Sequence, residues 1–372
     1  MNKSSFPMNA VTQAVADYQG HTFGHPRARD TFTRLGSEIN ALSSPQVMIL
    51  TGPTGVGKST IIRAACNRVL TNHEEELRSK PDVVPVIALN AVPPSGAGFN
   101  WKDFYIRLLT GQNEPLVDRK LLLPRQMPLL SESHVGSRGL EQSVGDALRR
   151  SVEEHLKRRQ TRLLVIDEAH HILLASKPQR LECQFESLKS LAGETGATIL
   201  LVGTYRLLDI LDQSAQLTRR CQVVNFPRYD MRREEDRAMF LQILFHLSEK
   251  LSEHVPTQLE VDAEYFYRKS AGCVGILKDW LARCLEYALL EKASRIDAAF
   301  AERFALTNRG LMTIIEEACW GEEKLLDVDD VQVVDLLKNG VVLAGGDKKL
   351  VVEPRRPGKR KPKRDPVGEV LV

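Results

Sequence analysis

Short aliphatic blocks recur along the first two-thirds of the chain, separated by longer stretches with helical spacing. Val47–Leu50, Leu163–Ile166 and Thr198–Val202 are apolar runs too short for helices and fit buried strands. Asp82–Leu89, with Val83, Val84, Val86 and Ile87, reads as another strand, and Pro85 places it at a sheet edge. Gln222–Phe226 reads as a fifth. Between them the pattern predicts helices over Pro26–Leu42 (carrying Arg27, Arg29 and Arg34), from Thr60 to about Leu70, and over Trp101–Leu109, Leu140–Arg159 and Gln179–Gly193. Strands alternating with helices predict a five-stranded parallel sheet with helices on both faces, an α/β class.

From Met231 onward the pattern is helical only, over about 231–251, 262–271, 273–292 and 297–304. The boundaries then fall as an irregular, polar extension over 1–25, an α/β domain over 26–228 and a small helical domain over 229–308. A C-terminal extension over 309–345 follows, with one helix over 309–330 and the acids Glu316, Glu317, Glu322, Glu323, Asp327, Asp329 and Asp330. Residues 346–372 form a basic tail: Glu353–Asp365 holds seven basic residues and three prolines, and apolar Val370, Leu371 and Val372 close the chain. Such a segment cannot bury enough apolar surface to fold and is expected to be disordered. Residues 112–138, rich in proline, read as an insertion.

The first strand leads into Gly52-Pro53-Thr54-Gly55-Val56-Gly57-Lys58-Ser59, with Thr60 opening the helix. This is G-x-x-x-x-G-K-[ST] between a strand and a helix, the context that makes the pattern a P-loop. Successive backbone N–H groups and the helix dipole face a phosphate there. Lys58 is expected to reach the β/γ-phosphates of ATP and the Ser59 hydroxyl to hold Mg²⁺. The third strand ends in Asp167-Glu168, the Walker B arrangement. Asp167 is the expected second Mg²⁺ ligand and Glu168 the group that polarises the attacking water. Asp167-Glu168-Ala169-His170 also spells a helicase box, but the chain is too short for two recombinase-like domains, and His170 and His171 read as ordinary residues after the strand.

Composition narrows this little. The 372 residues are 42% hydrophobic, enough for a substantial core, and the net charge of +3 does not single out a partner. No apolar run reaches a membrane span, and Met1–Gln19 lacks a secretory signal pattern. The six cysteines are scattered with no zinc or CxxC spacing, the usage of reduced thiols in a cytoplasmic protein.

With both Walker motifs placed, the chain resembles the AAA+ ATPases. Val202-Gly203-Thr204 lies where that family carries sensor 1, so Thr204 is the implied contact to the γ-phosphate or the water. Gln216-Leu217-Thr218-Arg219-Arg220 lies where it carries the arginine finger, and adjacency on a helix lets only one of Arg219 and Arg220 point at a neighbour's nucleotide. Residues 231–304 resemble the lid. One departure stands out: the sensor-2 arginine position, three residues after Gly272, is Gly275, and Lys278 one turn later is the candidate substitute in nucleotide binding.

Within AAA+ the chain is most similar to the TniB/TnsC transposition regulators, on Gly98-Phe99-Asn100-Trp101-Lys102-Asp103-Phe104-Tyr105, Ile166-Asp167-Glu168-Ala169-His170, Leu201-Val202-Gly203-Thr204, the lid helix Leu277–Leu290 and the basic tail. That resemblance implies an ATPase that assembles head-to-tail on target duplex DNA, as a ring or filament with ATP at the subunit interfaces. DNA would be held by its phosphates without regard to sequence. A target-selection protein and a transposase are the implied partners, the latter through the tail, and hydrolysis would disassemble the complex. Candidate DNA contacts are Lys102, Arg107, Lys120 and Arg125, whereas Trp101 fits a core position. A helicase-loading replication ATPase is the main alternative and would carry a winged helix after the lid. An oligomerising signalling or defence ATPase would need an effector domain, and a metabolic kinase fits neither the lid helices nor the Arg219-Arg220 position.

Overall fold

The computed structural model describes residues 8–40, 47–93, 98–112, 137–173, 178–213 and 221–339. Its helices and strands, in chain order, are α1 (Met8–Gly20), α2 (Pro26–Asn40), β1 (Val47–Thr51), α3 (Lys58–Asn72), α4 (Glu74–Ser79), β2 (Val86–Asn90), α5 (Trp101–Gly111), α6 (Ser137–Arg158), β3 (Leu163–Asp167), α7 (Pro178–Thr195), β4 (Thr198–Gly203) and β5 (Cys221–Asn225). There follow α8 (Glu234–Ser252), α9 (Ala263–Ser270), α10 (Val274–Glu291), α11 (Ala298–Glu302), α12 (Asn308–Lys324) and α13 (Asp330–Asn339). Short 3₁₀ turns cover Ala169–Ile172 and Tyr205–Gln213.

The five strands pair in parallel in the order β2-β3-β4-β1-β5. β2 is an edge strand, as Pro85 requires, and begins at Val86, later than the predicted Asp82, because Pro85 lacks the N–H a longer ladder would use. Alternation along each strand fills two separate cores. Val47, Ile49, Leu164, Ile166, Ile199 and Leu201 point to one face, against α5, α6 and α7. Met48, Leu50, Leu163, Val165, Leu200 and Val202 point to the other, against α2 and α3. Parallel sheets need cover on both faces, which is why these strands read as unbroken apolar runs.

The helices from α8 to α11 form a third core around Phe240, Leu244, Phe266, Leu277, Trp280 and Leu285. The Trp280 Nε1–H donates to the Ala301 carbonyl at 2.9 Å, satisfying the one polar atom of that buried ring. Here the structure corrects one expectation. Residues 8–20 are not irregular but a helix, α1, whose Val11, Ala14 and Tyr18 enter the lid core against α10. The three recur at helical spacing, and burying the Val11 side chain contributes about 1.5–3 kcal/mol.

The helix expected over 309–330 is α12, and a second helix follows it. α12 ends at Lys324 and α13 begins at Asp330. The described residues from Leu325 on belong to a unit of their own, in which α13 exposes Val331, Val333, Leu336 and Leu337. The basic tail, the insertion at 113–136 and residues 214–220 lie outside the described residues. Among the described residues no helix is long and apolar enough to cross a membrane.

Candidate nucleotide-binding site

β1, β3 and β4 are adjacent, and parallel pairing brings their C-terminal ends to one edge. Thr51 sits in register with Gly203, and Asn90 with Asp167. The residues that follow β1, β3 and β4 are Gly52, Glu168 and Thr204, so three segments far apart in sequence meet by register alone. The Thr51 hydroxyl donates to the Thr204 carbonyl at 3.0 Å and ties the P-loop strand to the segment after β4.

The P-loop turns through Gly57 at φ +113°, a value only glycine takes without strain, and α3 starts at the next residue. The Lys58 ammonium donates to the carbonyls of Gly52 and Pro53, both at 2.9 Å. Burial holds its pKa below the ordinary lysine value, opposed by the negative charges of Glu168, Asp167 and Glu317. A phosphate near this buried cation would restore its preference for the charged form.

Asp167 is half-buried, and burial raises its pKa, with Glu168 adding to the rise and Lys58 opposing it. Its Oδ1 accepts the Glu168 backbone N–H at 2.8 Å. Glu168 itself adopts a left-handed backbone at φ +53°, an uncommon conformation for a non-glycine residue that turns its half-exposed carboxylate out of the strand direction. His170 Nδ1 stands 3.3 Å from Glu168 Oε2, and the His170 and His171 rings are 4.3 Å apart. Burial and the neighbouring His171 lower the His170 pKa, with Glu168 opposing them. Thr204 Oγ1 is buried with no hydrogen-bond partner among the described residues, an orphaned polar atom at the end of β4.

Beside the P-loop lies a cavity of about 230 Å³ whose lining includes His21, His25, Ile61, Phe226, Val274 and Lys278. It is walled by the segment after α1, by α2 and α3, by the end of β5 and by the lid. His25 Nδ1 meets the Tyr229 hydroxyl at 2.8 Å, and burial with Arg27 and Arg29 holds the His25 pKa down to about 4. Arg27 fastens this wall to the lid by bonding the Arg228 carbonyl and the Asp236 carboxylate.

The sensor-2 departure has a structural reason. Gly275, in the first turn of α10, lies against the P-loop, where an added Cβ would overlap the Gly55 carbonyl. The next residue, Ile276, donates its backbone N–H to that carbonyl at 3.1 Å. No side chain fits at 275. The Lys278 ammonium in turn donates to the carbonyls of Gln19 (2.6 Å) and His21 (2.7 Å) at the end of α1. It borders the cavity while its hydrogen bonds run to α1.

Of the remaining candidates, Ser59 and Thr60 open α3 beside Lys58. Arg219 and Arg220 lie outside the described residues, as do Lys120 and Arg125. Lys102 is exposed in the first turn of α5, and Arg107 pairs with Asp103 at 2.7 Å one turn away. Trp101 packs on Phe99, Phe104 and Tyr105 as a core residue. Two features of the site escaped the sequence. The cavity wall at 21–25 was invisible because α1 was missed, although the 11–14–18 spacing was there to find. Glu317 stands out only once α12 is seen to fold back.

Residues 40–211 match a family model described as an AAA domain. Over that stretch the parallel sheet, P-loop and flanking helices are the P-loop α/β fold of an AAA domain. Among solved structures, the chain is similar to the Walker-type ATPase PABY2304 of Pyrococcus abyssi, at 15% identity over 79% of this chain and 73% of that one, with a TM-score of 0.41. It is also similar to the ORC2 protein of Aeropyrum pernix, solved as ADPNP–ADP complexes, at 14% identity over 89% and 71%, with a TM-score of 0.44. No curated protein matches the sequence. An AAA+ domain is a nucleotide-binding unit, and the convergence of Lys58, Asp167, Glu168 and Thr204 beside a base-sized cavity agrees with that.

Proposed function

We propose that this protein is a Mg²⁺-dependent ATPase that assembles on duplex DNA and regulates transposition in the manner of the TniB/TnsC group. The observation that carries the ATPase part is the meeting of Lys58, Asp167, Glu168 and Thr204 at the C-terminal edge of the sheet. The residues suit ATP and Mg²⁺. Gly52–Gly57 offer a backbone cradle, Ser59 and Asp167 offer hard oxygen ligands, and the orphaned Thr204 hydroxyl has a donor to give. Mg²⁺, when bound, would neutralise charge on the transferred phosphoryl group.

Lys58 binds and orients the phosphates in this reading. Asp167 holds the metal, and Glu168, turned out of β3 by its left-handed backbone, accepts the proton of the attacking water. The cavity walled by His25, Ile61 and Phe226 takes the base. Lys278, which borders it, keeps the wall closed by holding the end of α1. Arg219 or Arg220 of a neighbouring copy completes the site in trans, which demands a heterologous interface and hence rings or filaments.

DNA runs along that assembly in contact with phosphates, with exposed Lys102 as the leading contact. Arg107 contributes less, since Asp103 already pairs with it.

Electron microscopy of the purified protein with linear duplex DNA, with and without a non-hydrolysable ATP analogue, tests the proposal. Filaments or stacked rings on DNA that need the nucleotide are the expected result. DNA-independent closed rings, or monomers throughout, would overturn the DNA-assembly reading and leave an ATPase of another purpose.

A further inference from the structure

The cavity beside the P-loop is walled mainly by apolar side chains, among them Ile61, Phe226, Leu247 and Val274. Of the polar side chains lining it, His21, Thr22, Arg29 and Thr60 are exposed, and the Lys278 ammonium is taken up by the carbonyls of Gln19 and His21. Among these residues His25 is the buried one, at 5% exposure.

Three contacts fix its ring. His25 stands immediately before α2, and its carbonyl accepts the Arg29 N–H at 3.0 Å, which closes the first turn of that helix. Its side chain caps the same turn: Nδ1 accepts the Ala28 backbone N–H at 3.4 Å, and Pro26 takes the first helical position, where no donor is needed. On the lid side, Nδ1 meets the Tyr229 hydroxyl at 2.8 Å. The ring also lies nearly parallel to that of Phe226, with centroids 5.9 Å apart.

The cap decides the tautomer. A backbone N–H can only donate, so Nδ1 is an acceptor, the Tyr229 hydroxyl donates to it, and the ring proton sits on Nε2. Burial, with Arg27 and Arg29 nearby, holds the pKa down to about 4, so the ring is neutral at physiological pH. Nε2 has no partner among the described residues, yet packing does not seal it off. A fixed N–H donor on a buried ring, in an otherwise apolar recess, must be met by an acceptor when the recess is filled, or its hydration is lost without return.

We propose that His25 reads the base of the bound nucleotide, donating from Nε2 to an unprotonated ring nitrogen of adenine. The inference rests on the reading of the cavity as the base site. Apolar walls hold any planar ring by burial and distinguish bases poorly. A donor that would be left unpaired in a dry pocket distinguishes them well.

The test is a calorimetric titration of the full chain with ATP and with its 1-deaza, 3-deaza and 7-deaza analogues, each of which replaces one ring nitrogen by C–H. In the wild type at least one of the three is expected to bind roughly three- to tenfold more weakly than ATP, the contribution of one neutral hydrogen bond. His25→Asn keeps an acceptor for the Ala28 N–H but is too short to place a donor where Nε2 stood. In that variant the same analogue and ATP are expected to bind alike. The ratio within one variant is the readout, since a merely structural loss lowers both affinities together. Should His25→Asn fail to fold, His25→Phe, which keeps a ring against Phe226, takes its place with the same expected ratio.

A wild type that binds all three analogues as tightly as ATP would overturn the proposal. So would a weakened analogue that stays weaker by the same factor without His25. If the wild type binds no adenine nucleotide at all, the reading of the cavity as a base site falls, and the role of His25 with it.

Discussion

The Ile276 backbone N–H donates to the Gly55 carbonyl at 3.1 Å, and the Ile276 side chain lies against the same glycine, so the lid packs directly on the phosphate loop. In this chain the coupling between lid and nucleotide runs through that contact and through Gly275, which has no room for a side chain. Any movement of Gly55 on phosphate binding is felt directly by α10.

Gly275→Ala tests that coupling. The new Cβ must push the Gly55 carbonyl away, a strain of about 1–3 kcal/mol. The expected outcome is a fall in ATP affinity of about tenfold or more by nucleotide titration, with a smaller loss in melting temperature. Wild-type affinity in this variant would show that the two backbones separate freely.

Lys58→Ala removes the buried ammonium that Gly52 and Pro53 now hold. A hydrogen bond to a charged group contributes about 1.5–3 kcal/mol, so ATP affinity should fall by at least ~10-fold. Nucleotide-dependent DNA binding should vanish with it. DNA binding that persists regardless of ATP would break the link between nucleotide and assembly.

Glu168→Gln should leave ATP binding intact, because the half-exposed carboxylate is not needed to hold the phosphates. Turnover should drop by about 10²–10⁴, the contribution of a positioned general base. Stable DNA-bound oligomers are then expected in ATP itself. Single-turnover hydrolysis at the wild-type rate would remove Glu168 from that role.

His25 predicts an acid limit. Its pKa is held down to about 4 in the folded chain by burial, against 6.5 unperturbed. The unfolded state therefore takes up a proton that the folded state refuses, and stability falls as pH drops from about 6.5 toward 4. Between pH 7 and pH 4.5 the loss from this group is on the order of 2–3 kcal/mol. In His25→Gln, melting temperature should depend less on pH across that window. An unchanged pH dependence would show that His25 titrates normally.

Deleting residues 353–372 removes the basic block and the apolar end. On the proposed transposition reading, ATP-dependent DNA assembly should survive, and binding of a purified candidate transposase, measured by pull-down, should be lost. Complete loss of DNA binding would instead make the tail the main DNA anchor.

Much of the α/β domain was legible in the sequence. The runs Val47–Leu50, Leu163–Ile166 and Thr198–Val202 became β1, β3 and β4 within a residue or two, because a parallel strand covered on both faces must be apolar at every position. The P-loop was legible for the opposite reason: its conformation depends on glycines at fixed places, and Gly57 is one. The first helix was missed because its apolar positions are few and separated by polar residues. It is stabilised less by its own pattern than by the lid core it enters.

The sequence by itself determined the strands, the phosphate loop and the two acids after β3, since each rests on residues adjacent in the chain and on local backbone chemistry. Tertiary structure alone decided what lies across from them. Register aligned Thr51 with Gly203 and so brought Thr204 to the P-loop. Packing of α10 on the loop excluded any side chain at 275 and left Lys278 to bind the end of α1. The return of α12 laid Gly321 against the Tyr205 ring across a separation of more than a hundred residues. Contacts of that kind depend on how elements pack in space, and no periodicity along the chain encodes them.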